Sequence, residues 1–457
     1  MTSVFKLGLK TWSTWQNRSV NRRILGAMVT VGGFTILVKL VAAAKEVVVA
    51  YQFGMNDELD AFLIAYLLPQ FAITLIGGSL NSALIPTYIQ VREQEGDRAA
   101  HQLLSTVMVL SVGFLVALSV VLALTASYIL PLVASGFTAE KLALTHSLYY
   151  LLLGTLVLTG LATTWGAILN AENRFALAAV VPMASSIMTI LFVVIMAKQW
   201  GSYALVVGVV GGALIETSLL GWGLIRADVP LVPRWCGTSP AVKQVLGQYA
   251  PMVAAAFLMG GTTVVSQSMA AMLDPGTVSA LAYGNKLTNL ILGVGAVAVS
   301  TAVLPHFSRM VAMMDWKGLR HTLGTYTRLL LFVTLPVTLV LIYFSEPVVA
   351  MLFQRGAFTK ADTYVVGQVQ AMYLVQVPFY VLCMLIVRLI SALKANQVML
   401  WGNVINLSMC IGLSYFLMQR FGVVGIALAT SLMYLISVIF LSLVSMRLIN
   451  EKAGTKE

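Results

Sequence analysis

Residues 102–128 read QLLSTVMVLSVGFLVALSVVLALTASY, with no Asp, Glu, Lys or Arg in the run. A helix needs roughly 20 apolar residues to cross the hydrocarbon of a bilayer. A strand of an outer-membrane barrel would instead show about 10 residues with alternating polarity. This stretch is too long and too uniformly apolar for a strand, so it reads as a membrane-spanning helix. Similar runs recur on both sides of it. Twelve spans are expected, at 24–51, 58–90, 102–128, 141–170, 174–198, 201–225, 242–273, 277–312, 318–344, 362–394, 397–419 and 422–448. They are numbered spans 1 to 12 below.

The composition agrees. Of 457 residues, 59% are hydrophobic and 10% are charged. Soluble domains run at roughly 45–50% apolar and about 25% charged. A soluble enzyme, a disordered chain and a nucleic-acid-binding module are therefore excluded. The fold class is an all-α integral membrane protein of about twelve transmembrane helices.

The net charge of +11 has a topological reading. With the N-terminus in the cytoplasm, eighteen Lys and Arg fall on cytoplasmic segments. Five fall outside: Lys141, Lys198, Arg355, Lys360 and Arg420. Cytoplasmic loops are the basic ones in membrane proteins, so both termini are expected inside and no nucleic acid is needed as a partner. Residues 1–23 form a basic, amphipathic cytoplasmic arm with Trp12 and Trp15. The first apolar run is too long for a cleaved signal peptide. Residues 226–241, with Pro230, Pro233 and Gly237, read as a cytoplasmic linker between bundles at 24–225 and 242–448, and 449–457 as a cytoplasmic tail.

The two halves resemble each other. Ala83-Leu84-Ile85-Pro86 and Ala302-Val303-Leu304-Pro305 are offset by 219. Gly136-Phe137-Thr138 and Ala357-Phe358-Thr359 are offset by 221, as are Trp200-Gly201 and Phe421-Gly422. An even number of spans per repeat gives both repeats the same orientation, with a pseudo-two-fold axis along the membrane normal. Two such six-helix bundles suit alternating access around a central cavity.

A charge at mid-membrane costs roughly 2.5–3.5 kcal/mol on insertion scales and calls for a reason. Lys39, Lys45 and Glu46 lie in span 1, Glu216 in span 6, Asn285 and Lys286 in span 8, and Arg388 in span 10. Lys39 and Lys286 are the hardest to place at a surface and are expected to line a polar cavity. Lys45 and Glu46 are placed either to pair in the headgroup region or to serve the cavity. Arg388 either snorkels or faces it. Asp60, at the start of span 2, is either a helix-start residue favoured by the helix dipole or a coupling site. Glu216 is a counter-charge, a protonatable coupling site or a neutral buried acid. Cations facing a cavity suit an anionic cargo. The cysteines and histidines are scattered, no P-loop occurs, and no long extramembrane loop could house an active site. No metal site, no cofactor and no enzyme activity are expected.

Several motifs resemble those of the MviN/MurJ-type lipid II flippases, within the multidrug/oligosaccharidyl-lipid/polysaccharide exporter superfamily. They are Lys39-Leu-Val-Ala-Ala-Ala-Lys45-Glu46 with Phe53-Gly54, Asp60-Ala61-Phe62 with Pro69, and Gly276-Thr-Val-Ser-Ala-Leu-Ala-Tyr283-Gly-Asn285-Lys286-Leu287. Leu304-Pro305 and Arg355-Gly356-Ala357-Phe358-Thr359 complete the set. The resemblance implies a flippase for an undecaprenyl-diphosphate-linked saccharide in the bacterial inner membrane. It places diphosphate binding on Lys39, Lys45 and Lys286, where the family carries arginines. Asn285 and Arg388 join this set by position in their spans. Glu216, Glu46 and Asp60 are candidate coupling residues, for the membrane potential or a cation. The family has fourteen helices and twelve are expected here. The cargo is therefore expected to be either lipid II or an exopolysaccharide repeat unit. Membrane lipid and glycan-synthesis proteins are the expected partners. The rival readings are a cation-coupled small-molecule or drug antiporter of the same superfamily and a non-transporting scaffold of a glycan-synthesis complex.

Overall fold

The structure is a computed structural model that describes residues 20–172, 174–229, 231 and 233–454. Most of the expected basic arm, residues 1–19, lies outside the described residues, as does the end of the tail, 455–457.

The chain is helical, with no strand among the described residues. The helices are α1 Val20–Phe53, α2 Asp57–Glu95, α3 Asp97–Val133, α4 Ala139–Ala171, α5 Phe175–Val180, α6 Met183–Trp200 and α7 Tyr203–Ile225. After the linker come α8 Pro240–Ala270, α9 Thr277–Ala312, α10 Trp316–Tyr343, α11 Ser345–Phe353, α12 Lys360–Leu374, α13 Gln376–Ala392 and α14 Gln397–Gly454. Among the described residues, nine helical segments are long and apolar enough to cross a membrane. Each of the twelve expected spans has a helical counterpart. The protein is a multi-pass membrane protein.

The departures from the expected boundaries have local causes. Span 5 is divided into α5 and α6 at Val181-Pro182, because proline lacks the N–H that would continue the ladder. Span 10 is divided into α12 and α13 at Val375. Pro378 sits in the first turn of α13, where its missing donor does no harm. Spans 11 and 12 run together as α14 through a kink at Gly422. The short helix α11 was not expected. It also holds its proline, Pro347, in its first turn.

The repeat acquires a geometric basis at the aligned motifs. Gly201 has φ 53° and ψ −134°, and Gly422 has φ 57° and ψ −139°. A Cβ is poorly tolerated at such angles, so glycine is required at both ends of the offset. Thr138 accepts from the backbone N–H of Lys141 at 3.3 Å, and Thr359 from that of Asp362 at 3.2 Å. Each threonine therefore caps the helix that follows. Thr359 and Asp362 complete a reciprocal capping box.

The chain divides into two compact units. Among the described residues, the first holds those within 20–49, 76–123 and 151–250, and the second those within 50–75, 124–150 and 251–454. The division runs through α1 to α4 and α8 rather than at the linker. In the first unit, α6 and α7 form a tight hairpin. A Cβ on Gly208 would come within 2.6 Å of the Thr189 Cα, and one on Gly212 within 2.5 Å of the Ser185 Cα. Small residues let helix backbones approach in this way when both faces see lipid or each other. In the second unit, Val299, Val303, Phe307, Leu319, Val381, Leu385, Leu389, Leu393 and Ile449 form a buried core joining α9, α10, α13 and α14.

Candidate functional site

In the first unit, Lys39 is exposed on α1 and makes no hydrogen bond or ion pair among the described residues. Lys45 and Glu46 form an ion pair, Nζ to Oε1 3.0 Å, with side chains 30% and 19% exposed. Glu216 is half-buried on α7 and has no hydrogen-bond or ion-pair partner among the described residues. Beside it, the Thr217 hydroxyl donates to the carbonyls of Leu158 and Ala213 at 2.9 and 2.7 Å.

In the second unit, Lys286 is exposed and Asn285 half-buried, both on α9. Arg388 is half-buried on α13, which packs on α9. Its neighbours in sequence, Leu385 and Leu389, are fully buried in the core, so its helix is held firmly. The backbone thus fixes Asn285, Lys286 and Arg388 on adjoining rigid helices, while Lys39 and Lys45 belong to the other unit.

Asp60 sits differently from every other candidate. Asn56 caps its own helix, accepting from the Leu59 N–H at 2.8 Å. Asp60, one turn on, is 1% exposed and reaches the start of α9. Its two oxygens accept from the backbone N–H of Gly276 and of Ser279, each at 2.8 Å. α9 has no capping side chain of its own, because Gly276 stands at its N-cap with φ 84°. The first N–H groups of a helix lack intrahelical partners and carry the positive end of its dipole. A carboxylate from α2 satisfies both needs. Lys141 Nζ adds an ion pair to Asp60 at 3.1 Å and one to Asp57 at 2.5 Å, and lies 4.0 Å from the Phe137 ring centre.

A second joint lies in the same unit. The Ala357 N–H donates to the Tyr51 carbonyl at 2.8 Å. Gly54 and Gly356 both have φ +59°, and a Cβ on either would collide with the facing backbone, the Ala357 carbonyl for one and the Tyr51 carbonyl for the other. A Cβ on Gly136 would likewise strike the backbone of Ala271 and Met272. The Phe53-Gly54 and Arg355-Gly356-Ala357 motifs therefore need glycine because their backbones touch.

From the sequence, Lys141 reads only as a basic residue outside the membrane and Gly276 to Ser279 only as part of a family motif, and Asp57 carries no reading. One signal was present: Ser279 follows Asp60 by 219 residues, the offset of the Pro86 and Pro305 motifs.

Nine helical segments long and apolar enough to cross a membrane, among the described residues, define a polytopic membrane protein of the all-helical class. A model of the family described as "Lipid II flippase MurJ" matches residues 49–454, and the chain belongs to that family. The probable lipid II flippase MurJ of Rhizobium meliloti (strain 1021) is 28% identical over 368 residues, covering 77% of this chain and 68% of that protein. The probable lipid II flippase MurJ of Thermotoga maritima is 27% identical over 411 residues, covering 90% and 83%. Among solved structures, a lipid II flippase MurJ in an inward closed conformation superposes with a TM-score of 0.78 at 24% identity, over 93% of this chain and 90% of that one. An inward-facing MATE-family multidrug transporter of the MOP superfamily gives 0.74 at 13% identity, over 93% and 96%. At these identities the structural likeness establishes the fold. The family makes the chain a flippase for a lipid-linked saccharide, a transporter rather than an enzyme.

Proposed function

We propose that the chain moves an undecaprenyl-diphosphate-linked saccharide, lipid II or an exopolysaccharide repeat unit, across the bacterial inner membrane by alternating access, with both termini in the cytoplasm. The observation that carries the site assignment is Lys39, an exposed ammonium inside a membrane helix with no counter-charge among the described residues. A cation in a span is retained where it faces a partner or a water-filled cavity, and a diphosphate is the anionic part of this cargo. Lys286 supplies a second ammonium, and Asn285 an amide donor beside it. Lysine is a compact point charge without the fixed fork of arginine. Several orientations of a diphosphate then satisfy it, which suits a cargo that must be released on the far side.

Lys45 takes part by exchange. Its ion pair with Glu46 holds the charge until a phosphate competes for it, which gives Glu46 a coupling role. Arg388 extends the cationic set along α13. Glu216 is the candidate site for a proton or coupling cation, because a carboxylate within a span is costly until something neutralises it. Asp60 is assigned to holding α2 on α9 during the cycle. Glycan-synthesis proteins are expected to deliver the cargo.

Binding of a short-chain polyprenyl diphosphate to the purified protein tests the assignment. The wild type should bind it, and Lys39→Ala and Lys286→Ala should each weaken binding by roughly ten-fold or more, the size of a charge-assisted contact. Undiminished binding in both variants would remove the lysines from the site. Glu216→Gln should leave binding intact and abolish dependence of transport on the proton or cation gradient.

A further inference from the structure

Between α7 and α8, the backbone of Arg234 and Cys236 is tied to α3. The Ser105 hydroxyl on α3 donates to the Arg234 carbonyl at 3.0 Å and accepts from the Arg234 N–H at 2.6 Å. Thr106 accepts from the Cys236 N–H at 3.2 Å. Ser105 and Thr106 are 5% and 1% exposed, so their hydroxyls meet no water, and the extended chain satisfies them. This backbone strap leaves the Arg234 and Trp235 side chains facing outward, with Trp235 56% exposed.

The end of α7 presents a similar pair. Trp222 is 47% exposed, and the Arg226 guanidinium lies 4.0 Å from its ring centre. The Arg174 Nη2 donates to the Arg226 carbonyl at 2.6 Å, which brings the two arginine residues together at the negative end of α7. Neither forms an ion pair among the described residues. Glu172, two residues from Arg174, is already engaged by Tyr88 at 2.9 Å and Arg92 at 3.1 Å. Asp228 is the one acid carried by the segment from Trp222 to Lys243.

We infer that Arg174, Trp222, Arg226, Arg234 and Trp235 form a binding surface for the phosphate headgroups of anionic phospholipids, outside the transport site. The chemistry fits a lipid rather than a soluble acidic protein. Tryptophan is enriched where a membrane helix meets the headgroups, and Trp222 shares the last turn of a membrane helix with Ile225, 59% exposed. Arginine over an indole ring keeps its in-plane donors free for phosphate oxygens. The strap ties Arg234 and Cys236 to α3, so headgroup binding there bears on the unit that carries Lys39.

Detergent-purified full-length protein titrated with phosphatidylglycerol or phosphatidylcholine, with bound lipid counted by native mass spectrometry, tests this. The wild type should retain phosphatidylglycerol in preference. Arg174→Gln with Arg226→Gln should lower that preference by roughly five-fold per charge removed, and Arg174→Lys with Arg226→Lys should keep most of it. A photoactivatable phosphatidylglycerol should crosslink within 222–236. Equal retention of both lipids by the wild type, an undiminished preference in the Gln variant, or crosslinks confined to other segments would overturn the inference. The Gln variant's unfolding temperature, expected to match the wild type, separates lost binding from misfolding.

Discussion

Asp60 and Lys39 are both charges within membrane helices of one chain, and the protein treats them in opposite ways. Asp60 is buried, accepts two backbone N–H groups and pairs with Lys141. Lys39 is exposed and has no partner among the described residues. Burial without satisfaction would be ruinous for the first, since removing one partner of a buried charge costs about 3–5 kcal/mol. Exposure without a partner leaves the second available. The function proposed above assigns Asp60 to the scaffold and Lys39 to the cargo. Lys45 lies between them, with its partner Glu46 adjacent and both side chains partly exposed.

Breaking the scaffold side should give the largest changes in stability. Asp60→Ala strips the start of α9 of its cap and leaves Lys141 with Asp57 alone. Thermal unfolding in detergent should show a loss of about 3–5 kcal/mol, and Asp60→Asn a smaller one, because the amide oxygen still accepts. A near-native unfolding temperature for Asp60→Ala would mean the corner is ornamental. Gly54→Ala comes next. It places a Cβ at φ +59° against the Ala357 carbonyl, and strain of this kind costs about 1–3 kcal/mol. Gly356→Ala should behave alike, since the two glycines face each other's backbone, and a large difference between them would break that reciprocity. Thr359→Ala removes one capping hydroxyl and should cost about 1 kcal/mol, visible as faster hydrogen exchange in the first turn of α12.

Much of the scaffold was legible in the sequence because hydropathy is a property of side chains. Every expected span has its helix, and Pro182 and Pro378 lie close to the breaks in spans 5 and 10. The paired Trp200-Gly201 and Phe421-Gly422 motifs proved to share one backbone conformation. The short helix α11 escaped notice because nine residues are too few for a span. The Asp60 corner escaped for a deeper reason. Two of its partners are backbone N–H groups of Gly276 and Ser279, and every residue but proline has such a group. Nothing in residue type marks them out. Lys141 was counted among the basic residues outside the membrane, where its charge looked like a surface charge, yet its side chain is 9% exposed. The candidate lysines were legible because charge inside an apolar run needs no partner to be seen.

The claim that exposed intramembrane lysines serve the cargo is tested most directly on Lys39→Ala with Lys286→Ala. Flipping of a fluorescent diphosphate-linked lipid in proteoliposomes and thermal unfolding should be measured on the same preparation. The double variant should unfold within a degree or two of wild type, since exposed sites seldom cost more than about 0.5 kcal/mol, and should lose flipping. Flipping at the wild-type rate in a folded double variant would contradict it.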